Sequence, residues 1–328
     1  MNGPEPITVA ITGGGGYLGS RLAGLLAEQP RVTVRALVRQ PEPLPSAVSQ
    51  MTADLLAPGA TLDELCDGAD TIVHLAGPNE VAAARDPEGT IIDVVRGTHH
   101  VATAANRLGV RRAVYVSTVH VYGARLRPGA TVSEETPCEP RSPYAISRLV
   151  GEQLLASSGP PDLVILRLTN SVGAPASTAV ERWSLVANDL CRQGAIEGVL
   201  RLRTSGTQWR DFVPLTDVVR VIGACAKPGT VACGTYNLGS GVPMTVRSLA
   251  GAIQQAFVAA GAPRPPLDAP DPEPDPPGPY RISVDRLLDA GLHVEGHVAN
   301  ALLETVKFCL EHRRELAARQ PTMNEGSP

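Results

Sequence analysis

Near the amino terminus the chain reads Thr12-Gly13-Gly14-Gly15-Gly16-Tyr17-Leu18-Gly19, a composition suited to holding a pyrophosphate. Glycine lets a turn take positive φ, lets backbone approach phosphate without an intervening Cβ, and lets the next helix pack closely on the preceding strand. A helix opening at this point offers free N–H groups and the positive end of its dipole to an anion. Two registers fit, Gly13/Gly16/Gly19 and Gly14/Gly16/Gly19. A merely flexible loop would not need the strand-like run before it, Ile7 to Ile11, or the helical stretch after it, Tyr17 to Glu28. About twenty residues on, a second apolar run ends at Val38-Arg39. An acid there would hold the 2′-hydroxyl of NAD, whereas an arginine accommodates the 2′-phosphate of NADP. Arg39 thus favours NADP(H), with NAD(H) the alternative if Arg39 is only a solvated strand end.

Such a turn works only on a rigid frame. The runs Ile7 to Ile11, Val32 to Val38, Thr71 to Leu75 and Ala113 to Ser117 are short and rich in β-branched residues, as strands buried on both faces are. Helical stretches such as Tyr17 to Glu28 and Ile91 to Leu108 lie between them. This alternation predicts an α/β fold with a doubly wound parallel sheet, because parallel neighbours require crossover helices. A helix over Tyr144 to Ala156 and a strand over Leu163 to Leu168 continue the pattern. Residues 1–170, with segments returning from about 205–240, form the expected dinucleotide-binding domain; 171–328 are mainly a smaller mixed α/β substrate lobe. There the expected elements are a helix near Thr178 to Arg192, a strand near Val199 to Arg203, and helices over Leu215 to Ala226, Thr245 to Val258 and Val298 to Leu316. Ala262 to Tyr280, crowded with proline and acid, reads as an extended surface connection, and Gln320 to Pro328 as a frayed tail.

The 328 residues can bury a substantial core without metals or disulfides. A net charge of −4 with dispersed basic residues argues against nucleic-acid and acidic-membrane partners. Six cysteines without a C-x-x-C pair suit free, buried thiols in a reducing cytoplasm, and no metal site is expected. No stretch approaches the roughly 18 uninterrupted apolar residues of a membrane span, so a cytosolic protein with a small-molecule partner is expected.

Two further motifs are Thr118-Val119-His120-Val121-Tyr122-Gly123 and Ser142-Pro143-Tyr144-Ala145-Ile146-Ser147-Arg148. With the glycine turn, Asp54-Leu55, His74-Leu75-Ala76-Gly77, Gly97-Thr98, Arg167-Leu168-Thr169-Asn170, Arg210-Asp211-Phe212-Val213 and Tyr236-Asn237-Leu238-Gly239-Ser240-Gly241 follow in order. From about Ile7 to Leu316 the chain resembles the extended short-chain dehydrogenase/reductases, the nucleotide-sugar epimerase/dehydratase family. The resemblance implies hydride transfer at a sugar carbon, C4 foremost, of a nucleotide-linked sugar. It places Asp54 and Leu55 against the adenine, and Leu75, Ala76 and Gly77 along the cofactor. Tyr144 matches the family's proton-shuttling tyrosine, and Thr118 the hydroxyl that orients the reacting oxygen. A phenol ionises near pH 10 in water and needs adjacent positive charge to shuttle protons efficiently. Four residues after Tyr144 the family has lysine and this chain Arg148, still a permanent cation one helical turn away with donors for the cofactor ribose.

Asn170 matches a residue that contacts the substrate diphosphate, and Arg210 one that binds its phosphates. His120 is a candidate substrate contact or pH-tuned acid/base, or a plain pocket-lining histidine. Asp211 and Asp217 are expected to order the domain junction, and Trp183 and Trp209 to pack. Dehydratases of the family carry Asp-Glu where this chain has Val119-His120, so water elimination is not expected. The leading expectation is a keto-sugar reductase using NADP(H); the rival is an NAD-dependent 4-epimerase. A reading of another class is a non-catalytic NADP-binding regulator, which the Arg148 substitution would support. The resemblance also implies a homodimer through helices such as Ile91 to Leu108 and Tyr144 to Ala156.

Overall fold

The computed structural model describes residues 5–180, 182–274 and 277–319. The chain opens with β1 (Ile7–Thr12), α1 (Tyr17–Ala27), β2 (Val32–Val38), β3 (Val48–Thr52), α2 (Thr61–Cys66) and β4 (Thr71–His74). It continues with α3 (Glu80–Arg85), α4 (Pro87–Arg107), β5 (Arg112–Thr118), β6 (Thr131–Val132), α5 (Pro143–Ser158) and β7 (Asp162–Leu168). After these come β8 (Asn170–Val172), α6 (Val186–Glu197), β9 (Leu200–Arg201), β10 (Trp209–Pro214), α7 (Leu215–Cys225) and β11 (Gly234–Leu238). The remainder comprises β12 (Pro243–Thr245), α8 (Val246–Ala259), β13 (Leu267–Asp268), β14 (Arg281–Ile282), α9 (Asp285–Asp289), α10 (Val298–Glu311) and α11 (Arg313–Ala318).

Seven strands form one sheet in the order β11-β7-β5-β4-β1-β2-β3, every neighbouring pair parallel. Alternation along β1 divides the core: Val9 and Ile11 join the cluster that includes α1 and α7, while Ala10 joins the one that includes α2 and α4. From β1 the chain builds outward to β2 and β3, then crosses back to β4 on the other side. The chain thus leaves β1 and β4 in opposite directions across the sheet, a topological switch point of the kind where ligands bind beyond the strands' carboxyl ends. This is an α/β fold of the Rossmann type.

A second core forms around Leu190, Phe212, Leu249, Phe257 and Leu302, from α6, β10, α8 and α10. It lies beside a three-stranded sheet, β12-β10-β8, in which β10 pairs parallel with β8 and antiparallel with β12. Asp217 organises the approach to α10, accepting from Glu295 N, Gly296 N and the Arg220 guanidinium. Trp183 stacks on Phe308, ring centroids 6.5 Å apart.

Several expected elements shift. The helix expected from Thr178 begins only at Val186; before it, Thr178 gives its hydroxyl to Glu315 and Trp183 packs irregularly, so tertiary contacts replace the first turns. The helix expected over Val298 to Leu316 breaks at His312, where α11 starts afresh. The helix expected from Ile91 begins at Pro87, because Asp86 caps it by accepting from Gly89 N at 2.9 Å. The strand expected over Val199 to Arg203 is only Leu200–Arg201, and it pairs with Leu267–Asp268. The proline-rich segment is therefore fastened to the body at points, also by Trp209 Nε1 donating to Pro277 O at 2.8 Å. All six cysteines are free, but Cys233 is exposed and Cys138 half-buried. The tail from Gln320 lies outside the described residues, among which no helix is long and apolar enough to cross a membrane.

Candidate active site

The glycine turn is fixed by exclusion. Gly13 has φ +72°, and a Cβ there would lie 2.9 Å from Ala76 N, so the loops after β1 and β4 touch through bare backbone. A Cβ on Gly19 would come within 2.1 Å of Gly13 O, and one on Gly14 within 2.7 Å of the Ala36 Cβ. Gly16 N closes the turn onto Gly13 O at 3.0 Å, and Gly14 N reaches Leu37 O of β2 at 3.0 Å. Tyr17 begins α1, but its ring is buried and its hydroxyl donates to Gly173 O at 2.8 Å. Burial pushes that phenol up to about 12, so what Tyr17 offers a phosphate is its backbone N–H. Leu18, half-buried in the same turn, packs against the core.

Beneath the turn, His74 Nδ1 meets Thr12 Oγ1 at 2.7 Å and Nε2 meets Thr98 Oγ1 at 3.2 Å. Burial first, then the nearby Arg148 charge, lowers His74 to about 3, leaving a neutral ring that locks β1, β4 and α4 together. Leu75 and Ala76 follow β4, with Ala76 N 3.5 Å from Thr12 Oγ1. Asp54 Oδ1 accepts from Leu56 N at 2.9 Å, and His100 Nδ1 lies 2.9 Å from Leu55 O, pinning the Asp54-Leu55 loop to α4. Arg39 is exposed at the end of β2 and makes no ion pair among the described residues.

Tyr144 and Arg148 both stand on α5. Ser142 caps it by accepting from Ala145 N at 3.2 Å, and Pro143 pre-sets its first turn. Tyr144 therefore stands at the helix mouth, half-buried, with the Arg148 guanidinium 5.3 Å from its ring centroid. Arg148 is only 7 % exposed. Its Nη2 donates to Pro78 O at 3.1 Å, and a Cβ on Gly77 (φ +148°) would sit 3.1 Å from both terminal nitrogens. The bare face of Gly77 thus admits a guanidinium at this position. Arg148 Nε is buried with no partner among the described residues, an orphaned donor beside the loop after β4. Together, the bare-backbone turn and this orphan fit a nicotinamide dinucleotide, its phosphates at Gly13 to Gly19 and a ribose hydroxyl on Arg148.

Thr118 ends β5, buried, with Oγ1 accepting from His120 N at 3.2 Å. Its hydroxyl hydrogen remains available for an outside oxygen. A buried network that sequence reading did not assemble holds α5 to β5 and β7: Ser117 donates to Glu152 at 2.5 Å, Arg167 Nη2 to the same carboxylate at 2.7 Å, and Arg167 lies 4.9 Å from the Tyr122 ring centroid. Its residues lie far apart in sequence, and only their place in known motifs could have flagged them.

Among the expected substrate contacts, His120 is solvent-accessible yet crowded by protein; burial first, then the Arg210 charge, lowers its pKa, while Glu80 opposes them. Arg210 is half-buried, with Nη1 donating to Trp209 O at 2.8 Å and Tyr280 beside it. Asn170 is already committed: Nδ2 donates to Asp211 O at 2.9 Å, tying β8 to β10. Asp211 accepts from Thr169 Oγ1 at 2.8 Å and Ser240 N at 2.9 Å, so it does order this junction. Glu80 accepts from Arg182 Nη1 at 2.9 Å and Ser184 Oγ at 2.8 Å, a link between α3 and the loop before α6 that no local motif announces.

The model of the NAD dependent epimerase/dehydratase family matches residues 9–239. The chain belongs to this family. It is an NAD(P)-dependent enzyme of the extended short-chain dehydrogenase/reductase type. It is 29 % identical to the UDP-glucose 4-epimerase of Azospirillum brasilense over 294 residues, 80 % of this chain and 82 % of the relative. It is likewise 29 % identical to the GDP-6-deoxy-D-mannose reductase of Pseudomonas aeruginosa over 246 residues, 73 % of this chain and 76 % of the relative. The structure of RMD from Pseudomonas aeruginosa complexed with NADPH superposes with a TM-score of 0.73 at 25 % identity, covering 93 % of this chain and 99 % of that one.

Proposed function

We propose that this family member transfers hydride at C4 of a nucleotide-linked sugar, in its leading form as a keto-sugar reductase using NADP(H). The observation that carries the reading is Arg148, a buried cation stacked on Tyr144 with a free Nε donor beside the loop after β4. When bound, the nicotinamide supplies or accepts the hydride. Tyr144 gives its phenolic proton to the sugar oxygen in the reducing direction and takes it back in the oxidising one. Thr118 donates its free hydroxyl hydrogen to that oxygen and fixes it in place. Arg148 stabilises negative charge on the phenol and holds the ribose.

Arg210 binds the substrate phosphates, Asn170 offers them the second hydrogen of its Nδ2 amide, and His120 lines the pocket as a neutral ring. The substrate lies between the large sheet (residues 1–170 with the returning segments) and the lobe beyond residue 170. Val119 and His120 stand where a dehydratase would need carboxylates, which argues against elimination. Exposed Ile92, Val95 and Ile146 on α4 and α5 support a homodimer through that face, and the six free thiols agree with a cytosolic enzyme.

A second reading, the NAD-dependent 4-epimerase, is favoured by the 29 % identity to an epimerase over 80 % of the chain. Incubating the purified protein with UDP-, dTDP- and GDP-linked sugars and 4-keto sugars, with each cofactor, separates the two. The reductase consumes NADPH stoichiometrically at 340 nm, whereas the epimerase interconverts C4 epimers without net cofactor change. Cofactor binding without turnover of any of these would replace both by the regulator.

A further inference from the structure

Arg39 is not the only charged residue in the link that follows β2. Glu42, in the link from β2 to β3, lies across the glycine turn: a Cβ built on Gly15 would fall 2.4 Å from Glu42 Cγ, 2.9 Å from Cδ and 3.1 Å from Oε1. The carboxylate therefore touches the bare backbone of the turn. Its backbone is clamped, with Glu42 N donating to Gln50 Oε1 at 2.6 Å and Gln50 Nε2 donating back to Glu42 O at 3.1 Å. Gln50 itself belongs to β3, which is in register with β2 (Ala36 opposite Gln50). The placement thus derives from the sheet. Arg39 and Glu42 form no ion pair with each other among the described residues.

We infer that Glu42 is a second determinant of cofactor choice, one that opposes Arg39 at the ribose 2′ position. A dinucleotide seated on the glycine turn brings its adenosine ribose between that turn and the end of β2. A carboxylate there accepts hydrogen bonds from ribose hydroxyls and repels a 2′-phosphate; the arginine does the reverse. The pair holds the site between the two cofactors, so that a change at either residue tips it. This rests on the cofactor assignment and is independent of which sugar is turned over.

The test uses the full chain and two probes that need no turnover, ADP-ribose and its 2′-phosphate, titrated by calorimetry. Glu42→Gln keeps the shape and the backbone clamp while removing the charge. Affinity for the 2′-phosphorylated probe is expected to rise about tenfold relative to ADP-ribose, equivalent to about 1.4 kcal/mol. Glu42→Asp, which withdraws the carboxylate by one methylene, should shift the ratio in the same direction by less. A change in the Glu42→Gln ratio below fivefold overturns the inference. Arg39→Gln, run alongside, keeps the outcomes separate: if it alone lowers affinity for the 2′-phosphate, the NADP(H) reading stands and Glu42 is a passive cover of the turn.

Discussion

The two sides of the proposed site are built on different principles. On the cofactor side, contact is made by backbone: Gly13 against Ala76, Gly19 against Gly13, Gly14 against Ala36, over a buried Thr12–His74–Thr98 network whose donors and acceptors satisfy one another. On the proposed substrate side, polar side chains from separate elements converge, with Glu80 from α3, His120 after β5, Arg182 before α6 and Arg210 from β10. The first wall is preorganised by sterics and tolerates little change. The second is more adjustable, because its contacts are made by side chains rather than by bare backbone. Loss of the Tyr144 or Thr118 hydroxyl should therefore spare cofactor binding, and disruption of the substrate wall should appear in KM.

Tyr144→Phe gives the largest expected effect. It removes the proton donor and leaves the glycine turn untouched, so kcat should fall about a thousandfold while the cofactor dissociation constant stays within twofold. Stopped-flow turnover and fluorescence titration measure the two. A residual rate within tenfold of wild type would move the acid/base role to another group, His120 first. Next in size is Arg148→Ala, expected to cost about a hundredfold in kcat, some 3 kcal/mol of transition-state stabilisation. Arg148→Lys should retain all but about tenfold of the rate, since it keeps the cation but loses the planar fork that packs on Gly77 and reaches Pro78 O. Equal rates for both variants would show that Arg148 acts through packing alone.

Legibility in the sequence follows the same division. The glycine turn, the strands of the large sheet and the Tyr144/Arg148 pair are written in contiguous residues whose spacing matches a period or a turn, so β1, β2, β4, β5 and β7 appear close to their expected limits. The exceptions are instructive. β3 carries mixed residues, Val48-Ser49-Gln50-Met51-Thr52, and gives no apolar run; Glu42 lies in an irregular link and is brought onto Gly15 only by a clamp to that unannounced strand. Around α6, apolar side chains such as Trp183 pack without helical backbone, so hydrophobic pattern and helix part company. Glu80 and Arg182 stand about a hundred residues apart, and nothing local ties one to the other.

Arg210→Ala is the smallest expected effect and the sharpest probe of the substrate wall. Arg210 is half-buried and anchored through Nη1 to Trp209 O, so part of its guanidinium remains for a ligand. A charge-assisted contact to phosphate is worth about 1.5 to 3 kcal/mol, and partial exposure argues for the lower end, so KM for the nucleotide sugar should rise about tenfold. Cofactor affinity should not change, and kcat should stay within threefold, because Arg210 is remote from the Tyr144 oxygen's chemistry in role. The same variant has a second readout. Burial is the main cause of the lowered His120 pKa and the Arg210 charge the next. Removing the guanidinium takes away one of the two influences that disfavour the imidazolium, so the His120 titration midpoint should move upward. It should stop short of the ordinary histidine value, because the burial remains. Following the His120 ring signal by NMR against pH checks the sign directly. A rise in KM without an upward midpoint would place Arg210 on the substrate but away from His120, and an unchanged KM would remove it from the phosphate site altogether.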